Sequence, residues 1–194
     1  MPDLHLLAGP NGAGKSTYVN TVLAPITHLP FINADVIAAE CWPDDQAPHA
    51  YEAAQIAEQQ RRAALAAGQS FITETVFSHP SKVQLVADAS AAGYLVHLHV
   101  IIVPVELTVL RVAERVRRGG HDVPEQKTRE RYARLWDHIA HAIAIADTTR
   151  VFDNSKASNP FRACARYDHG RLVGMPDWPT WTPPPLLTAP GNTH

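Results

Sequence analysis

The sequence predicts a three-layer α/β fold, a mostly parallel central sheet with helices on both faces, and three observations carry that prediction. Short apolar runs alternate with stretches of helical period from residue 4 to residue 154. The first run, "LHLLA", leads straight into the glycine-rich "GPNGAGKS". Beyond residue 154 the alternation stops, and the chain ends in a proline-rich segment.

Leu4–Ala8 is short, apolar and bounded by glycine, as a buried strand should be, and "GKSTYVNTVL" after it reads as a helix. "FIN" (Phe31 to Asn33) is a second short strand, with a helix from Asp35. The alanine-rich stretch from His49 to Ala67 is helical and stops at Gly68. Ser70 to Glu74 forms a third strand, and Ser81 to Ala91 a helix ending at Gly93. Tyr94 to Val103 is the strongest strand, nearly continuous in apolar residues, with His97 and His99 on one face. A helix from Val105 to Arg118, a Gly-Gly break and a long helix over about 123–147 follow. Arg150 to Asn154 is the last parallel strand, and "FRACARYDHGRLV" an antiparallel hairpin turning at His169-Gly170. Residues 1–174 thus make one domain. Residues 175–194 hold six of the 16 prolines and are expected to form a loosely packed tail outside the core.

Composition excludes several function classes. A net charge of −2 does not suit a dedicated nucleic-acid binder, although eight of the 17 Lys and Arg residues crowd between Arg111 and Arg134. No run approaches the roughly 18 apolar residues of a membrane span, and "MPDLHLLAGP" lacks the basic start of a signal peptide. Two cysteines are too few for a disulfide framework and read as free thiols, so a cytoplasmic location is expected. The histidine pairs His97/His99 and His138/His141 lack the neighbours that would make metal ligands of them.

The segment Gly9, Pro10, Asn11, Gly12, Ala13, Gly14, Lys15, Ser16 fits G-x-x-x-x-G-K-[ST] at every fixed position, after a strand and before a helix. That context marks a phosphate-binding P-loop and refines the fold to the P-loop NTPase/kinase type. Backbone N–H groups of the loop, extended by Thr17, would cradle a triphosphate. Lys15 would reach its β- and γ-phosphates, and the Ser16 hydroxyl would hold Mg²⁺. Nothing matches the guanine-reading N-K-x-D, so the nucleotide is expected to be ATP.

P-loop enzymes commonly support the metal with an acid at a strand tip, but the strongest strand here ends "IIVPVE". The candidates are therefore Asp35 in "FINAD" and Glu74 in "FITET", each just beyond a strand. One would accept a hydroxyl proton and the other orient substrate or metal. Plainer roles compete: a helix N-cap for Asp35, an ion pair with an arginine for Glu74. On a helical wheel Val109, Val112, Ala113 and Val116 form an apolar stripe, with Arg111, Arg115 and Arg118 opposite. Gly119 and Gly120 offer a hinge, and Asp122 and Glu125 stand at capping-box spacing with Pro124 in the first turn. Helix, hinge and helix describe a lid over about residues 115–127 that could fold arginines onto a triphosphate. The plainer alternative is a solvated helix face with Glu106 and Glu114 as ion-pair partners.

"AGPNGAGKST", "FINAD", "FITETVFS" and "RVAERVRRGGHDVPEQKTRERYARLW", closing with "VFDNS", resemble the zeta toxin family of P-loop kinases, in particular its compact free-standing bacterial members. The resemblance covers about residues 3–155. It implies a kinase that uses ATP and Mg²⁺ to phosphorylate the 3′-hydroxyl of the sugar of UDP-N-acetylglucosamine, with an antitoxin protein as partner. By motif, Lys15 and Ser16 bind phosphate and Mg²⁺, and Asp35 is the base toward the hydroxyl. Glu74 and Thr75 line the sugar-nucleotide side, and Arg115 and Arg118 act on the transferring phosphate. The stretch between Ala34 and Ser70 is shorter than in larger members, which leaves other hydroxyl acceptors in play: dinucleotides, nucleosides or polynucleotide 5′ ends. Only Tyr132 and Trp136 interleave with the basic residues as base-stacking aromatics would, which disfavours a polynucleotide. A third reading is a nucleotide-binding toxin–antitoxin partner whose main contact is a protein.

Overall fold

The computed structural model describes residues 1–117, 124–189 and 191. Strands β1 (Asp3–Ala8), β2 (Phe31–Ile32), β3 (Phe71–Thr75), β4 (Leu95–Ile102) and β5 (Thr148–Asp153) run parallel, and β6 (Arg162–Asp168) and β7 (Arg171–Leu172) continue the sheet antiparallel. Their order across the sheet is β2-β3-β1-β4-β5-β6-β7. The chain leaves β1 toward the β2 edge, returns to β3, then crosses to β4. This reversal beside β1 opens a crevice at the carboxyl ends of β1 and β3, where open α/β sheets place ligands.

Successive residues of β1 point to opposite faces, so each face has its own core. Leu4 and Leu6 pack with α3 (Ala34–Cys41), α4 (Ala50–Ala66), α5 (Ser81–Ala91) and α7 (Glu125–Ile145). Leu7 packs on the other side with Ile72, Ile101, Tyr18, Val19 and Leu23. The last three come from a helical run over residues 15–27, made of α1 (Lys15–Tyr18), a π-helical turn (Val19–Leu23) and α2 (Ala24–Thr27). Pro25 explains the π turn: it has no N–H for a bond back to Thr21, and the ladder widens so that the Ala24 N–H reaches Val19 instead. α6 (Val105–Arg117) lies on this same side.

The strands and helices expected from periodicity are present, most within a residue or two and the first helical run four residues longer than expected, and three details differ. The described part of the tail packs on the core rather than hanging loose. α8 (Pro184–Leu187) buries Leu186 completely, Ala189 is also buried, and Trp178 and Trp181 pack against the main cluster. Arg162 joins it electrostatically, reaching both Asp153 on β5 and Asp177. The composition-based expectation failed because proline removes chain entropy as well as hydrogen bonds, and Trp178, Trp181, Leu186 and Ala189 supply the apolar area. The α6 stripe also differs: Val112 is buried with Thr108, but Ala113 is exposed. Finally, Pro124 is the N-cap of α7 rather than in its first turn, and the Glu125 carboxylate accepts from Arg129 Nε at 2.8 Å. Asp122, Gly119 and Gly120 lie outside the described residues, so the hinge expectation does too.

Candidate functional site

The loop between β1 and α1 is shaped by glycine where the backbone demands it. Gly9 has φ 147°, and a Cβ there would stand 2.3 Å from the Ile101 carbonyl oxygen of β4, so no side chain fits. Pro10 and Ala13 are buried, Asn11 and Gly12 half-buried, and the Ala13 N–H closes a turn on the Pro10 carbonyl at 3.2 Å. Gly14, left-handed at φ 94°, is the N-cap of α1, from which Lys15, Ser16 and Thr17 project. Lys15 is buried, and its Nζ donates to the Gly9 and Pro10 carbonyls at 3.1 and 3.0 Å. Burial lowers its pKa, Arg115 adds to that, and the nearby carboxylates of Glu74 and Asp35 oppose it. The lysine thus marks the centre of a constellation of two acids and one arginine.

Glu74 sits at the end of β3, paired in register with Leu7 of β1. Its carboxylate accepts from the Ser16 hydroxyl, at 3.0 Å to Oε1 and 2.9 Å to Oε2. It has no ion pair with an arginine among the described residues. Asp35 is not the N-cap of α3 either. Asn33 takes that role, its Oδ1 accepting from the Asp35 and Val36 N–H groups at 2.6 and 3.1 Å. The Asp35 side chain is left exposed in the first helical turn, where it fronts a cavity of about 440 Å³ with Asp44, Asp45, Gln46 and Arg115. Thr75 is engaged locally, its Oγ accepting the Phe77 N–H at 3.2 Å and holding the bend after β3.

The arginines of α6 part company. Arg115 is exposed on the cavity that Asp35 fronts. Arg111, one turn earlier, is half-buried and donates to the Gly12 carbonyl at 3.0 Å and the Asn154 carbonyl at 3.1 Å. Arg118 lies outside the described residues. Glu106 does not pair within its own helix; it takes a two-pronged contact from Arg129 of α7 at 2.8 Å, which holds its carboxyl below the usual range. Asn154, not assigned a role from the sequence, donates through Nδ2 to the Ala13 carbonyl at 2.8 Å. Its sequence signals are its place just after the buried end of β5 and its membership of the "VFDNS" motif.

His97 and His99 do share a face of β4, and His5 of β1 joins them in register with His97. His5 Nδ1 lies 3.1 Å from His99 Nε2, and His97 bridges Asp3 and Thr148. Among the described residues no group of three or more His, Cys, Asp or Glu is arranged to hold a metal. Cys41 and Cys164 are free thiols, the second pushed up to about 11 by burial. No helix among the described residues is long and apolar enough to cross a membrane.

A family model described as an AAA domain matches residues 4–142. No curated protein gives a significant match. Among solved structures, the chain is similar to one in the AvrRxo1-ORF1:-ORF2 complex with ATP, at 16% identity and TM-score 0.71, with 89% of this chain and 60% of that chain covered. It thus spans less than two thirds of that protein. It is similar at 17% identity and TM-score 0.60 to a structure of the PezAT toxin–antitoxin system of Streptococcus pneumoniae, covering 79% of this chain and 67% of that one. Shikimate kinase from Acinetobacter baumannii, solved with shikimate, follows at 17% identity and TM-score 0.51, with 81% and 87% covered. At these identities the likeness is one of fold, the three-layer α/β arrangement of P-loop kinases.

Proposed function

The chain belongs to the AAA domain family, and on that premise we propose that it is an ATP- and Mg²⁺-dependent kinase that transfers the γ-phosphoryl group to a hydroxyl. One observation carries the reading: Asp35 and Arg115 front a single cavity within electrostatic reach of the P-loop lysine. A hydroxyl bound there would give its proton to Asp35 as its oxygen bonds to the γ-phosphorus. The bond from that phosphorus to the β–γ bridging oxygen breaks, and ADP leaves. Lys15 and Arg115 would stabilise the charge spread over the transferring oxygens. Arg118 is proposed beside Arg115 by resemblance alone.

The Ser16 hydroxyl and the Glu74 carboxylate are hard oxygen donors in contact, a set that suits Mg²⁺ once phosphate and water oxygens complete an octahedron. Bound there, the ion would neutralise phosphate charge. Glu74, engaged with Ser16, fits that side of the site, which supports Asp35 as the base. For the acceptor, the zeta toxin resemblance implies a nucleotide sugar such as UDP-N-acetylglucosamine and assigns Glu74 and Thr75 to its side, although neither lines the cavity that Asp35 fronts and Glu74 is engaged with Ser16. The PezAT neighbour is a toxin–antitoxin system, which supports an antitoxin as a protein partner, and two free thiols suit work in the cytoplasm. The test is to incubate the protein with ATP, Mg²⁺ and a panel of nucleotide sugars, dinucleotides, nucleosides and RNA 5′ ends, and identify products by mass spectrometry. Transfer to a nucleotide sugar is expected. ATP bound with no transfer to any acceptor would contradict the kinase reading and leave a binding module.

A further inference from the structure

The geometry points to Arg111 as a positioning residue that locks the tip of the nucleotide loop to the helix carrying Arg115. The inference rests on the kinase reading of that loop. Three hydrogen bonds form a closed bracket: Arg111 to the Gly12 carbonyl at 3.0 Å, Arg111 to the Asn154 carbonyl at 3.1 Å, and Asn154 Nδ2 to the Ala13 carbonyl at 2.8 Å. Two successive loop carbonyls are therefore held from outside, one by α6 and one by the end of β5.

A trans peptide is planar, with its C=O and the following N–H pointing opposite ways. Holding the Gly12 carbonyl outward turns the Ala13 N–H inward, and it does point across the loop at Pro10. Holding the Ala13 carbonyl outward turns the Gly14 N–H inward in the same way. Inward N–H groups are what a loop of this kind offers to phosphate. The bracket sets their direction without touching phosphate itself.

Gly12 is where the arginine stem comes closest. It has φ 72°, and a Cβ there would lie 2.9 Å from Arg111 Cβ, so the helix rests on the loop tip with no room between them. Arg115 stands four residues on, about 6 Å along the same face of α6. The bracket thereby fixes the distance between the loop and the arginine proposed to act on the transferring phosphate. A planar guanidinium can reach two carbonyls in different directions at once, which a lysine ammonium does poorly on its flexible stem.

The test measures affinity for a non-hydrolysable ATP analogue by calorimetry beside steady-state kinetics, with thermal melting to verify folding. Arg111→Met is expected to weaken the analogue about tenfold and raise KM for ATP, from the loss of two charge-assisted bonds; Arg111→Lys recovers part of the loss. Arg115→Met should show the opposite split, with kcat down about a hundredfold and analogue affinity within about twofold. If Arg111→Met does not fold, Asn154→Ala removes the Ala13 arm alone and should still weaken the analogue. Wild-type affinity in a folded Arg111→Met or in Asn154→Ala would overturn the inference and leave the kinase reading intact. A loss confined to kcat would overturn it as well. Failure of the wild-type protein to bind the analogue would sink the kinase reading first.

Discussion

The Ser16 hydroxyl donates to both oxygens of Glu74, at 2.9 and 3.0 Å, although 58 residues separate them. The contact joins the first helical turn after the P-loop to the tip of the neighbouring parallel strand. It places the acid that β4 lacks at its tip on β3 instead.

Glu74→Gln keeps the shape and the hydrogen bond but removes the charge. The expected outcome is a rise of about tenfold or more in the Mg²⁺ concentration giving half-maximal rate, with kcat down about a hundredfold at saturating metal. Metal titration of the steady-state rate checks this. An unchanged Mg²⁺ requirement would remove Glu74 from the metal side.

The cavity carries Asp35, Asp44 and Asp45 against Arg115. An acceptor with phosphate charge would meet repulsion from Asp44 and Asp45 in the cavity lining. Replacing both Asp44 and Asp45 with Asn is expected to lower KM for an anionic acceptor such as UDP-N-acetylglucosamine by about threefold to tenfold at low salt, with little change for an uncharged one. The two acceptors should be compared at two ionic strengths.

Burial holds His5 down to about 4, with His97 adding to the effect and Asp3 opposing it. Burial holds His99 down to about 3, with His5, His97 and Arg150 adding to it. The unfolded chain takes up protons near pH 6.5 while the folded one refuses them, so stability is fully present above about 6.5 and falls as pH drops through about 4 for His5 and about 3 for His99. Urea midpoints at pH 7.5 and 5.0 should show the loss. In His5→Gln, which keeps a hydrogen-bonding group toward His99, the difference should shrink.

The docked tail makes its own prediction. Leu186 is fully buried in the main core, so Leu186→Ala should cost about 2–5 kcal/mol of unfolding free energy by urea titration. A cost near zero would mean that the tail is an appendage.

How much of this could be read in the residues depended on how local the determinants were. The P-loop was fully legible, because a strand, fixed glycines and a helix start all fall within a dozen residues of Leu4. Asp35 and Glu74 were legible as candidates from their places after short strands, but their separation into two surroundings was not. That needed Asn33 to take the N-cap and β3 to pair beside β1. The wheel set Arg111 and Arg115 on one stripe, as they are, yet could not show that its first turn abuts Gly12 while its second overlooks the cavity. Similarly, Glu106 finds Arg129 23 residues away across two helices, beyond any spacing rule. Proline content described the tail's backbone, whereas Trp178, Trp181 and Leu186 decided where it went.

The most direct test of the central claim is phosphoryl transfer by Asp35→Asn, measured beside its affinity for an ATP analogue. With Asp35 as the base, turnover should fall at least about a thousandfold while analogue affinity stays within about twofold. Turnover near the wild-type rate would contradict that assignment and move the base elsewhere in the site, with Glu74 next in line.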